Sequence, residues 1–126
     1  MIINALKQNG GSFYFAHRGA PWIEKENSII SFSRAIELGC KGLEMDVQIT
    51  KDKKLIIYHD LYLKKNNKIL HINELTYFQI CKIMKKLNQN IPPLLSELLP
   101  IIKQNKNIIF NIEIKSNKLN NHFIIK

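Results

Sequence analysis

Ionisable residues stand in small groups along this sequence: His17-Arg18, Glu44 with Asp46, His59-Asp60, and Glu113 with Lys115. Glu44 and Asp46 are two residues apart, so in a strand both point to one face while Leu43, Met45, Val47 and Ile49 point to the other. Like charges so placed repel, and a divalent cation is the simplest way to keep both ionised in a partly dry site. Glu113 can supply a third oxygen ligand. An all-carboxylate set suits Mg²⁺ or Ca²⁺ better than Zn²⁺, which usually recruits histidine or cysteine. His17 and His59 add side chains of the kind that serve as acid and base. An acid, a base and a cation over the phosphate are what phosphodiester chemistry requires. Taken singly, an acidic pair on a strand is more often a solvent face, and a strand-end histidine is more often structural. Their coincidence is what points to a site. His71 and His122 have no such company and read as structural or surface residues.

These groups need strands to hold them. Residues 12–17 read as a first strand, closing on the loop chemistry of Arg18-Gly19-Ala20-Pro21. After Asn27, apolar positions recur at helical spacing over 28–38, with Gly39 placed for a left-handed cap. Residues 42–50 alternate as a second strand, 51–53 form a turn, and 55–59 form a third strand. Residues 61–72, around Lys65-Asn66-Asn67-Lys68, read as a hairpin excursion. Helical spacing returns over 76–87, Pro92-Pro93 restarts the chain, and a further helix covers 96–104 with Pro100 as a kink or late start. A fourth strand covers 107–115. The order is β-α-β-β-(hairpin)-α-α-β.

The chain has 126 residues, 45% of them apolar, which fits one globular unit. Its net charge of +9 is spread over many lysines rather than gathered in a stripe. With no recognition helix or aromatic stacking pattern, this reads as a solvated surface and not as a nucleic-acid interface. Apolar runs stop well short of the roughly 18 residues needed to span a bilayer, and the N-terminus lacks a secretory pattern. A cytoplasmic protein without stable membrane insertion is expected. Cys40 and Cys81 form no paired motif and read as small core residues.

His17-Arg18-Gly19, Glu26-Asn27-Ser28, Phe32, Ala35, Gly39, Glu44-x-Asp46-Val47, Thr50-x-Asp52 and His59-Asp60 together resemble the N-terminal signature of the glycerophosphodiester phosphodiesterase family. Ile91-Pro92-Pro93-Leu94-x-x-Glu97-x-Leu99 and Glu113-x-Lys115 continue the resemblance, which covers about residues 13–115. Two positions depart from the family pattern: Lys25 replaces its proline and Ser28 its threonine, changes that leave Asn27 able to cap the helix. The resemblance implies a TIM-type (β/α)₈ barrel that hydrolyses glycerophosphodiesters to sn-glycerol 3-phosphate and an alcohol, in glycerophospholipid metabolism. Position by position, it implies His17 and His59 as the acid/base pair. It likewise implies Glu44, Asp46 and Glu113 as ligands of Mg²⁺ or Ca²⁺, and Arg18, with Lys115, as phosphate contacts.

A full barrel takes about 250 residues. The expectation for 1–126 is therefore the N-terminal half of such a barrel, with about four parallel strands, flanking helices and a small hairpin insertion. Such a half is expected to need a C-terminal half-barrel chain or a second copy. The alternative is an inactive or unstable truncated remnant of such an enzyme.

Overall fold

The computed structural model describes residues 15–116. Strand β1 (Phe15–His17) leads through a tight loop to helix α1 (Ile29–Glu37), then β2 (Gly42–Ile49) and β3 (Leu55–Ile57). A hairpin, β4 (Tyr62–Lys65) and β5 (Lys68–His71), is followed by a 3-10 turn (Ile72–Glu74), helices α2 (Tyr77–Lys86) and α3 (Leu95–Gln104), and strand β6 (Ile109–Ile114). The expected element order is therefore found. Residues 12–14 of the first expected strand, His122 and the rest of the tail lie outside the described residues.

Strand β2 is the centre of the sheet. It pairs in parallel with β1, His17 opposite Glu44, and also in parallel with β6, Asp46 opposite Glu113. β3 pairs with the far end of β2 but runs antiparallel, with Val47 opposite Ile57. The expectation of about four parallel strands is thus corrected, among the described residues, to three barrel strands, β1, β2 and β6. The physical reason is the connection: a short turn can return a strand alongside its neighbour, whereas a parallel crossover needs a dozen or more residues. Thr50 fastens that turn by donating its hydroxyl to Asp52 (2.6 Å), and the same carboxylate oxygen of Asp52 accepts the Tyr77 N–H (3.0 Å) at the start of α2.

The core has two parts because β3 faces both ways. Ile57 joins Leu43, Met45, Val47, Phe32, Ala35 and Leu98 between the sheet and helices α1 and α3, with half-buried Cys40 packed against them. Ile56, its neighbour, points to the other cluster with Leu63, Ile72, Ile80 and Met84, under the hairpin and α2. Cys81 is also only half-buried, and His71 lies exposed with its ring edge-on to Tyr62 at 6.5 Å.

Helix ends follow local chemistry. Ser28, not Asn27, caps α1 by accepting the Ser31 N–H (3.1 Å). At its other end Gly39 adopts φ +85°, and the Gly39 and Cys40 N–H groups return to the carbonyls of Ile36 and Ala35, closing a Schellman motif. Thr76 and Gln79 form a reciprocal capping box on α2. Pro100 lies inside α3, which is continuous from Leu95 to Gln104.

The β1–α1 loop is the tightest connection. Gly19 has φ +90°, and a Cβ there would meet the Ser31 Oγ at 2.3 Å and the Ser31 carbonyl carbon at 2.7 Å. Ser31 needs that closeness, because its hydroxyl accepts the Ala20 N–H (2.7 Å) and donates to the Arg18 carbonyl (3.1 Å). Gly19→Ala is expected to destabilise the fold by about 2–4 kcal/mol, from the left-handed backbone and the overlap with α1. Urea unfolding with an unchanged slope and a lowered midpoint checks this.

Candidate metal and catalytic centre

The sheet register builds the site. Because Asp46 and Glu113 are cross-strand partners and Glu44 is two residues before Asp46, all three carboxylates reach one place, level with the C-terminal ends of β1 and β6. One oxygen from each lies within 4.8 Å of the others. Glu44 and Asp46 are buried, Asp46 completely, while Glu113 is exposed on β6.

Each acid has its own support. Asp46 Oδ2 accepts from Asn27 Nδ2 (2.9 Å) and pairs with Arg18 Nε at 3.1 Å, while the Asp46 N–H is donated to Asn27 Oδ1 (3.3 Å). Its other oxygen, Oδ1, is buried with no hydrogen-bond donor in good geometry among the described residues, and the Lys115 ammonium stands 3.4 Å from it. Glu44 Oε2 accepts the Arg18 backbone N–H (3.2 Å) and lies 3.6 Å from His17 Nε2. Burial, then the charge of Asp46, pushes the Glu44 carboxyl up from its ordinary value, against the opposing pull of the Arg18 N–H. A crowded, partly buried carboxylate set with one oxygen left without a hydrogen bond is an arrangement that a hard divalent cation fits.

Arg18 is held by its backbone as well as its head. It sits at φ 57°, a conformation disfavoured for a residue with a Cβ, and its N–H and carbonyl are tied to Glu44, Asn27 and Ser31. Its guanidinium donates to Glu26 (2.9 Å). Burial works against its charge, but the Glu26 hydrogen bond and the charges of Glu26, Asp46 and Glu44 outweigh that, so its pKa is raised.

The structure therefore brings His17, Arg18, Glu44, Asp46, Glu113 and Lys115 into one connected group. Among the described residues, no hydrogen bond or ion pair joins His59 to it. The third strand stops at Ile57, and His59 follows in the loop, its Nδ1 2.9 Å from Asp60 Oδ1. It lines an open cleft together with Glu26 and Asn27, the partners of Arg18 and Asp46. Two residues outside the expected site set the geometry. Asn27, expected as a helix cap, turns inward at φ 55° to hold Asp46. Gln48 is buried, and its Nε2 donates to the carbonyls of Tyr58 and Asp60, both at 2.7 Å, on either side of His59. Its place on the Glu44–Asp46 face was the signal that could have found it.

Parallel strands whose ionisable groups gather level with the C-terminal ends of β1 and β6 define a segment of a (β/α)₈-barrel protein. The model of the glycerophosphoryl diester phosphodiesterase family matches residues 17–124, and the chain belongs to that family. It is 38% identical over 112 residues to a glycerophosphodiester phosphodiesterase of Caldanaerobacter subterraneus, covering 80% of this chain and 44% of that protein. Among solved structures, it resembles a glycerophosphodiester phosphodiesterase of Thermotoga maritima with a TM-score of 0.66 and 30% identity, over 86% of this chain and 46% of that one. It also resembles an Oleispira antarctica phosphodiesterase solved with the product sn-glycerol-3-phosphate, with a TM-score of 0.65 and 26% identity, over 82% of this chain and 44% of that one. The chain thus spans a little under half the length of these relatives. No helix among the described residues is long and apolar enough to cross a membrane.

Proposed function

We propose that this chain carries the acid/base and cation-binding groups for hydrolysis of glycerophosphodiesters to sn-glycerol 3-phosphate and an alcohol. The observation that supports it most is the convergence of Glu44, Asp46 and Glu113 within 4.8 Å, backed by an unserved buried oxygen. These three would hold Mg²⁺ or Ca²⁺, which supplies positive charge to a phosphoryl oxygen. Arg18 adds a fixed positive charge, kept in place by Glu26 and Asp46. His17 and His59 serve as acid and base: one takes the proton of the attacking hydroxyl or water, the other gives a proton to the leaving alcohol. Asp60 and Gln48 orient His59 from its ring and its backbone.

Among the described residues, strand β6 pairs only with β2, and its Ile112 and Ile114 are each 42% exposed. That free edge supports a barrel completed by further strands, from a C-terminal half or a second copy. The test is release of glycerol 3-phosphate from glycerophosphocholine, with solution mass measured alongside. Release that needs Mg²⁺ or Ca²⁺ supports the reading; equal release in excess chelator contradicts it.

A further inference from the structure

We infer that Lys115 is the resident counter-ion of the carboxylate cluster, exchanged out by the divalent cation and thereby released for an anionic substrate. The inference rests on the cation-site reading above and concerns what holds that site together before a cation arrives. Three carboxylates within 4.8 Å would repel strongly if left alone in a partly buried place. The structure answers with the Lys115 ammonium, 2.7 Å from Glu113 Oε1 and 3.4 Å from Asp46 Oδ1. Its side chain is only 20% exposed, and its backbone N–H, bonded to the Val47 carbonyl (2.9 Å), fixes it at the end of the β2–β6 ladder.

One of the two oxygens it touches, Asp46 Oδ1, is the one left for a cation. Asp46 Oδ2 is already served by Asn27 and Arg18, which leaves Oδ1 as the available ligand atom. An ammonium and a divalent cation cannot share Oδ1 and Glu113 at these distances without strong repulsion. The approach to Oδ1 is long and poorly directed, so the ammonium holds that oxygen loosely and gives it up readily. Arg18 cannot make the same exchange, because Glu26 keeps its head occupied. Once displaced, Lys115 has parted from its carboxylate partners and stands beside the cation, free to meet phosphate oxygens. Cation binding therefore precedes productive phosphate binding.

Two measurements test this, and neither needs turnover. Calorimetric titration with Ca²⁺ is expected to give about tenfold tighter binding in Lys115→Met than in wild type, because the competing charge is gone. Lys85→Met, which removes an equal charge from the exposed face of α2, should change affinity by less than about twofold. In wild type, acylation of the Lys115 amine by an activated ester, read by peptide mass mapping against Lys85, should speed up several-fold when Ca²⁺ is added, because an amine no longer held by Glu113 and Asp46 is open to the reagent. Unchanged Lys115 reactivity together with an affinity change no larger than that of Lys85→Met would overturn the exchange while leaving the cation site standing. Failure of wild type to bind Ca²⁺ at all would overturn both.

Discussion

Replacing His59 by alanine is expected to slow glycerol 3-phosphate release by about 10²- to 10⁴-fold with little change in cation affinity. The size follows from losing a positioned proton donor or acceptor. The selectivity follows from position: His59 stands with Asp60 on the cleft, apart from the carboxylate cluster. The buried parts of the fold should tolerate the change, since the ring is 37% exposed. The loss should therefore appear in kcat and not in the unfolding midpoint. His17→Ala should show a loss of similar size, but this ring lies 3.6 Å from Glu44, so cation affinity should shift slightly as well. If release survived both changes, the acid/base assignment would be wrong.

The second large effect falls on stability. Asp46 is completely buried and receives Asn27, Arg18 and Lys115 at once. Asp46→Ala takes a carboxylate from Arg18 and Lys115, which keep Glu26 and Glu113, and strands the Asn27 amide, a loss within the range of about 3–5 kcal/mol for a broken buried pair. The Arg18 and Lys115 side chains keep 19% and 20% of their exposure, so some of the freed charge can be hydrated and the lower part of that range is expected. Chemical denaturation measures it. Asp46→Asn should cost less, since an amide oxygen can still accept from Asn27, and comparing the two variants separates lost charge from lost shape.

How much of this was legible in the sequence depends on the kind of interaction. The strict alternation from Leu43 to Ile49 exposed Glu44 and Asp46 as a same-face pair, because a strand has a period of two and nothing else can reorder it. Glu113 and Lys115 were visible by the same rule. Their place beside Asp46 was not, since the register of β2 against β6 is set by a ladder between segments far apart in the chain. The antiparallel course of β3 was implicit in the short turn before it but was overridden by the expectation of a regular barrel. Asn27 was read as a cap because a short polar side chain before a helix usually is one; Ser28 took that task and left Asn27 to face Asp46. Gln48 shares the Glu44–Asp46 face, but its task is hidden in the sequence, because its amide works on backbone carbonyls, which every residue carries. The double hold of Arg18 on Glu26 and Asp46 likewise needs the left-handed turn at residue 18, which an arginine in a sequence does not announce.

The central claim is that three carboxylates from β2 and β6 form a single divalent-cation site. Calorimetric titration of the purified chain with Ca²⁺ or Mg²⁺, beside a variant carrying Glu44→Gln and Asp46→Asn, tests it most directly. Both changes keep the side-chain volumes and remove only the negative charge that a hard cation requires. The account predicts one ion per chain in wild type and no measurable binding in the variant. Equal binding by the two proteins, or none by wild type, would contradict it.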